Sequence, residues 1–337
     1  MTTLTMAKAI NAGLRAALAG DEHVVLMGED IGTLGGVYRV TDGLQTEFGP
    51  RRVMDSPLAE SGILGTAVGM AYRGYRPVVE IQFDGFIYPA FDQIVSQVAR
   101  MHYRTAGAVR MPITIRVPFA GGIGAAEHHS DSPEAYFAHA AGLRVVSPSS
   151  PEDAYTLIQQ AIASDDPVLY FEPKRRYHVK GEVDETAALA DARPMGTARV
   201  VVPGDDLTLV TYGGLVQTAR DAAAAASDDG LSVEVIDLRS LSPLDVDTVA
   251  ESVRKTGRLV ISHEAALSGG MGAEIAASIT ERCFYYLEHA PVRVTGHDIP
   301  YPAAKLEGAH LPDLDRILDG VDRAMDRPNS LTGVEEL

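Results

Sequence analysis

The chain has 337 residues, enough for two domains with real cores, and its 29 basic against 46 acidic residues leave a net charge of -17. That balance excludes a phosphate backbone or an anionic membrane surface as the main partner. With Cys283 as the single cysteine there is neither an internal disulfide framework nor a thiolate metal cluster, as expected of a reducing, cytoplasmic location.

The opening MTTLTMAKAINAGLRAALAG lacks a long apolar run and predicts an amphipathic helix with Met6, Ile10, Leu14 and Leu18 on one face. Neither a signal peptide nor a membrane span is expected. The apolar runs HVVLMGED, RPVVEIQF, MPITIRVPF, LRVVSPS and PVLYFEP follow, interleaved with helical patterns that include FDQIVSQVARMHYR and PEDAYTLIQQAIA. Strands separated by helix-length segments predict a parallel sheet covered on both faces. KRRYHVKGEVDETAALADARPMG breaks the pattern as a linker, and its basic run at 174–180 reads as a solvated face. The alternation resumes with DLTLVTYGG, LVQTARDAAAAAS, LSVEVIDLR, PLDVDTVAESVRK, RLVISHE, GGMGAEIAASITERC and VRVTGHD. The chain is therefore expected to be α/β, with parallel-sheet domains at 1–177 and 199–330 joined by a linker at 178–198. Cys283, in ITERCFYYL, reads as a buried structural thiol.

Glu60 stands at the head of an otherwise small and apolar stretch, MDSPLAESGILGTAVGMAYRG. A carboxylate there is costly unless paired, exposed or used. Ser56 and Pro57 predict a helix start, with serine at the N-cap and proline at the first helical position. A capping box then wants its glutamate at position 59, which is Ala59, so capping does not account for Glu60. A surface glutamate stabilised by the helix dipole remains an alternative. Gly62, Gly65 and Gly69 leave one helix face bare, and exposed mid-helix glycines cost about 1 kcal/mol each relative to alanine. Such a face is expected to pack tightly against something, with Glu60 at its mouth.

FAGGIGAAEHHSDS fails the dinucleotide fingerprint, because Glu127 stands where the third glycine belongs. No GxxxxGK[ST] phosphate loop and no GxSxG elbow occurs. The glycines are expected in a loop at the carboxyl end of a strand, either lining a ligand site or forming a structural turn. The adjacent His128 and His129 diverge too much for one metal ion to take both. A histidine there suits hydrogen bonding or proton donation to an anionic substrate, the alternative being a capping or surface role.

SPLAESGILGTAVGMAYRGYRPVVEIQF, FDQIVSQVARMHYRT, AEHHSDSPEAYFAHAAGLRVVSPSSPEDA, DDPVLYFEPKRRY, VEVIDLRSLSPLDVDTV and GHDIPYP together resemble the β subunit of the thiamine-diphosphate-dependent 2-oxo acid dehydrogenases. The likeness runs in order from about residue 4 to 325. At AEHHSDSPEAYFAH and FEPKRRY the chain most resembles the branched-chain (3-methyl-2-oxobutanoate) forms, with the pyruvate forms close behind.

The resemblance implies a thiamine-diphosphate pyrimidine-binding domain followed by a transketolase C-terminal-like domain. It implies that Glu60 hydrogen-bonds the aminopyrimidine ring and that His129 helps position the substrate carboxylate and the lipoyl group. Glu29, Leu58, Gln82 and Phe86 fall at or near the pyrimidine pocket; some branched-chain members carry Tyr at the Phe86 position. A family potassium ion bound through loop carbonyls maps to Ile113, Ala161, Ile162, Ser164 and Asp166, although relatives often have Asp and Asn at the last two. The family's GDG motif, which holds the diphosphate through Mg²⁺, is absent from this sequence. The resemblance thus implies an α subunit that supplies diphosphate and Mg²⁺, an assembly of two α and two β chains, and a lipoyl acyltransferase core as further partner.

Overall fold

The computed structural model describes residues 1–327, so the last positions of the expected second domain, 328–330, lie outside the described residues. The chain forms two compact units. The first comprises Met1–Ile123, Glu127–Gly196 and Ser240–Pro243; the second comprises Gly124–Ala126, Thr197–Arg239 and the chain from Leu244 onward.

In chain order the first unit contains β1 (Thr2–Thr5), α1 (Met6–Gly20), β2 (Val24–Gly28), β3 (Val53–Asp55), α2 (Glu60–Tyr72), β4 (Arg76–Glu80) and β5 (Thr114–Phe119). It continues with β6 (Arg144–Val146), α3 (Pro151–Ala163), β7 (Val168–Pro173) and β8 (Lys180–Val183). Then come β9 (Arg199–Val202), β10 (Leu207–Thr211), α4 (Val216–Asp228), β11 (Val233–Asp237), β12 (Ser240–Ser242), α5 (Val246–Thr256), β13 (Leu259–Ala266), α6 (Met271–Cys283), β14 (Val292–Gly296) and α7 (Leu314–Ala324).

The first unit's sheet has the order β12-β6-β7-β5-β4-β2-β3. All of its pairings are parallel except that of β12 with β6, so the expected parallel sheet gains an antiparallel edge strand from far along the chain. Met6, Ile10, Leu14 and Leu18 are buried on one face of α1 as their spacing requires. Gly13 lets α3 press onto that helix, since a Cβ there would lie 2.4 Å from Ile158 Cγ2 and 2.9 Å from the Tyr155 carbonyl. Residues 178–198 are not a bare linker: β8 pairs antiparallel with β1, and the first unit runs on to Gly196.

Two local expectations fail for identifiable reasons. Ser56 does not cap a helix, because its N–H donates to the Gly28 carbonyl at 2.9 Å and keeps the chain extended beyond β3. The helix α2 starts at Glu60, with Ala59 at the N-cap and no side-chain cap. The single helix expected over FDQIVSQVARMHYR, residues 91–104, is instead a π-helical stretch, Gln93–Val98, and a short α-helix, Met101–Arg104, preceded by a 3₁₀ segment, Asp84–Ala90. The helical ladder breaks where the Ala99 N–H donates to the Ile94 carbonyl, five residues back, at 2.9 Å; Pro89 lies in the preceding 3₁₀ segment.

The second unit's sheet has the order β14-β13-β10-β11-β9, parallel except for β9. Its core combines Leu207, Leu209, Val233, Val235, Val260 and Val294 with the alanine face of α4 and with Ile317 and Val321 of α7. Cys283 is buried as expected and lies 3.6 Å from the Ala250 carbonyl. His263 on β13 is buried; its Nδ1–H donates to the Ala265 carbonyl at 3.1 Å, and Nε2 has no hydrogen-bond partner among the described residues. The glycines that open α6 fit over that ring, for a Cβ at Gly270 or Gly272 would lie 2.6 Å or 2.7 Å from it. Among the described residues, no helix is long and apolar enough to cross a membrane.

Candidate active site

Strands β3, β2, β4 and β5 are neighbours and parallel, so their carboxyl ends lie along one edge of the sheet. Each leads into expected site residues: β2 into Glu29, β3 into Leu58 and Glu60, β4 into Gln82 and Phe86, β5 into the glycine loop and His129. Parallel sheets place ligands at this edge.

Glu29 is half-buried, and burial pushes its carboxyl above the usual glutamate range, helped by the nearby Asp30 and Glu60 carboxylates. A carboxyl raised in this way favours holding a proton or meeting a hydrogen-bond donor. Gln82 is tied to the same corner, its Nε2 donating to the Glu29 carbonyl at 3.3 Å. Glu60 is half-buried in the first turn of α2. Leu58 is 73% exposed and projects from the segment before that helix.

His129 lies in a 3₁₀ turn, Glu127–His129, that packs on the 3₁₀ segment after β4. Its ring meets Phe83 edge-on at 4.2 Å and Phe86 at 5.2 Å between centroids. Burial lowers its pKa first, then the Lys174 and His128 charges, so the imidazole is held neutral near pH 7. Gly85 makes this approach possible: a Cβ there would lie 2.7 Å from both Cα and O of His128. The expected residues thus fall into two groups, Glu29 with Glu60 and Gln82, and Phe86 with His129.

Beneath them lies a layer that the sequence reading missed. Lys174, expected on a solvated basic face, is buried and donates to Asp84 Oδ2 at 2.8 Å, with neither side chain exposed. Its Nζ lies 6.0 Å from the centre of the Phe83 ring, on whose other neighbour His129 it acts electrostatically. Arg116 is buried between Glu80, at 2.6 Å, and Glu172, at 2.7 and 3.0 Å. Tyr177 also donates to Glu172, at 2.5 Å, and its ring packs on Tyr38, which meets Phe83 edge-on at 5.7 Å. Burial raises Glu80 and Asp84 despite their cationic partners. The sequence did carry a signal, since Glu80, Arg116 and Glu172 are charges of alternating sign within three apolar strand runs.

The carbonyls expected to ligate potassium belong to the opposite end of the sheet, at the starts of β5 and β7 and the end of α3. Among the described residues, no group of three or more His, Cys, Asp or Glu side chains could hold a metal ion.

Residues 2–180 match the family model "Transketolase, pyrimidine binding domain", and residues 196–317 match "Transketolase, C-terminal domain". The chain is 57% identical over 323 residues to the pyruvate dehydrogenase E1 component subunit beta of Leifsonia xyli subsp. xyli, covering 96% of this chain and 95% of that one. It is 55% identical over 327 residues to the 3-methyl-2-oxobutanoate dehydrogenase subunit beta of Mycobacterium tuberculosis H37Rv, with coverage of 97% and 93%. The 2-oxoisovalerate dehydrogenase subunit beta of Pseudomonas aeruginosa is 45% identical over 340 residues, with coverage of 97% and 96%. A solved structure described as a split gene transketolase, inactive beta4 tetramer, is similar with a TM-score of 0.78 at 22% identity, covering 96% of this chain and 98% of that one; the likeness concerns the fold.

Proposed function

Because the chain belongs to the β subunits of the 2-oxo acid dehydrogenases, with the transketolase pyrimidine-binding and C-terminal domains in order, we propose that it contributes the pyrimidine half of a thiamine-diphosphate site. The reaction is decarboxylation of a 2-oxo acid with transfer of the acyl group to a lipoyl domain. The observation that carries this reading is the convergence of Glu29, Glu60, Gln82, Phe86 and His129 at the carboxyl ends of β2, β3, β4 and β5, where Phe83 and Phe86 hold the His129 ring. Bound there, the cofactor would act as the electron sink for the carbanion left by decarboxylation. Glu60 hydrogen-bonds the aminopyrimidine ring nitrogen and holds or returns a proton there. The neighbouring Glu29 carboxyl favours that shared proton. Phe86, Gln82 and Leu58 border the ring, and Phe86 offers it an apolar edge without a hydroxyl. His129, neutral at working pH, positions the substrate carboxylate and then the lipoyl group by hydrogen bonding.

The chain lacks the GDG motif, so diphosphate and Mg²⁺ belong to an α subunit in an assembly of two α and two β chains that works in the cytoplasm on a lipoyl acyltransferase core. The substrate we assign is a branched-chain 2-oxo acid, on the segments AEHHSDSPEAYFAH and FEPKRRY. Pyruvate is the second reading, favoured by the 57% identical relative. Comparing kcat/KM for 3-methyl-2-oxobutanoate, pyruvate and acetoin in the reconstituted assembly separates them. One methylene is worth about 1 to 3 kcal/mol in a pocket, hence about 10- to 200-fold. Glu60→Gln is expected to abolish decarboxylation with assembly intact. Wild-type turnover in Glu60→Gln and in His129→Ala would instead leave a noncatalytic scaffold.

A further inference from the structure

The expected potassium ligands are all occupied by hydrogen bonds, and a guanidinium lies among them. Arg76, the first residue of β4, directs its NH1 to the Ile162 carbonyl at 3.2 Å and the Ser164 carbonyl at 3.0 Å. Its NH2 donates to Asp165 Oδ1 at 2.8 Å, and its Nε lies 3.7 Å from Asp21 Oδ2. Arg110 binds the other oxygen of Asp165, which fixes the carboxylate between two guanidinium groups. The Ile113 carbonyl accepts from Val168 N at 2.9 Å and that of Ala161 from Ser164 N at 3.2 Å. The Asp166 carbonyl accepts from Ser164 Oγ at 2.9 Å.

A carbonyl oxygen has a second lone pair, so an ordinary hydrogen bond would not by itself keep a cation away. The position of the nitrogen and its charge do. NH1 bridges the Ile162 and Ser164 oxygens at hydrogen-bond distance from both, which sets a positive charge between two of the expected ligands. A second positive charge at that point would meet a permanently protonated guanidinium. The last carbonyls of α3 also lie at the negative end of the helix dipole, which favours a cation of either kind.

We propose that Arg76 takes the place of the potassium ion in this chain: its guanidinium is a covalently attached cation that fixes the turn between α3 and β7. The turn then needs no dissolved ion, and the stability of the chain is indifferent to potassium. Since Arg76 and these carbonyls belong to the amino-terminal ends of β4, β5 and β7, the consequence is read in unfolding and is independent of which 2-oxo acid is used.

Thermal unfolding of the full chain, alone and with its α partner, in KCl, NaCl and choline chloride at equal ionic strength tests this. Wild type is expected to melt within about 1 °C in all three salts and to retain no stoichiometric potassium by elemental analysis after desalting. Arg76→Met is expected to melt several degrees lower and to recover selectively in KCl, as the vacated carbonyls accept the ion. A potassium-selective, saturable rise in the wild-type melting temperature, or one retained potassium per chain, overturns the proposal. So does an Arg76→Met protein that melts like wild type, or one that falls and recovers in no salt. If that variant does not fold, the wild-type salt series and elemental analysis decide alone.

Discussion

Gly85 carries the least chemistry of any residue near His129, yet it controls where the imidazole lies. An alanine Cβ would collide with the His128 backbone, which cannot rotate away as a side-chain end could. Gly85→Ala is therefore expected to displace His129 and lower kcat/KM, on the order of 10²-fold for a shift near 1 Å, while the chain still folds. Steady-state kinetics beside a melting curve checks it. Lys174 poses the opposite problem. Lys174→Met leaves Asp84 buried without its cation, a loss of about 3 to 5 kcal/mol in denaturant unfolding, and Asp84→Asn in the same chain is expected to restore much of it. Glu60 stood out in the sequence because a carboxylate among small apolar residues demands a reason. Gly85 was not, since a missing Cβ leaves no trace in composition. Lys174 was misread because its partner lies 90 positions away, so a basic run looked solvated when one member of it is paired and buried.

At the scale of elements, α2 presents a face that this chain does not use. Gly65 and Gly69 are exposed, and a Cβ at either would meet nothing within 4 Å. Alanine at either position should stabilise the isolated chain by about 0.5 to 1 kcal/mol, through lower backbone entropy in the unfolded state. A larger side chain, as in Gly65→Leu, should leave that fold intact and weaken copurification with the α subunit; undiminished copurification would mean that the helix face is not the contact. The bare face was readable from the i, i+3, i+7 glycine spacing. The helix start was not, because the hydrogen bond from Ser56 to Gly28 ties the residue after β3 to the end of β2, a contact between distant parts of the sequence that no local capping signal reports. FDQIVSQVARMHYR likewise has a helical apolar period, yet it folds as a π-helical stretch, Gln93–Val98, and a separate short α-helix, Met101–Arg104.

The whole molecule responds to pH through a buried histidine of the second unit. Burial lowers the His263 pKa to about 4 from an ordinary value of 6.5. The unfolded chain therefore binds a proton between pH 6.5 and about 4 that the folded chain does not, and stability falls as pH drops through that window. The loss from this one group is on the order of 3 kcal/mol. His263→Gln is expected to flatten the pH dependence of unfolding between pH 6.5 and 4, measured by denaturant titration, even if the variant is less stable at pH 7. The two-domain α/β order was legible at this scale because alternating strand and helix patterns are local. Both antiparallel edge strands, β9 and β12, escaped it: pairing partners at an edge are chosen across the sequence, without a periodicity to announce them.

The strand Ser240–Ser242 has a consequence for the order of events during synthesis. It covers the edge of β6, nearly a hundred residues earlier, and so belongs to a sheet whose other strands have long left the ribosome. Until residue 242 emerges, the nascent first unit exposes an open strand edge, the kind of template on which chains associate wrongly. A fragment ending at Gly196 is thus expected to collapse but self-associate, as seen by light scattering. Its first sheet is finished only when translation has entered the second unit, so the two units share one schedule even though each has its own core.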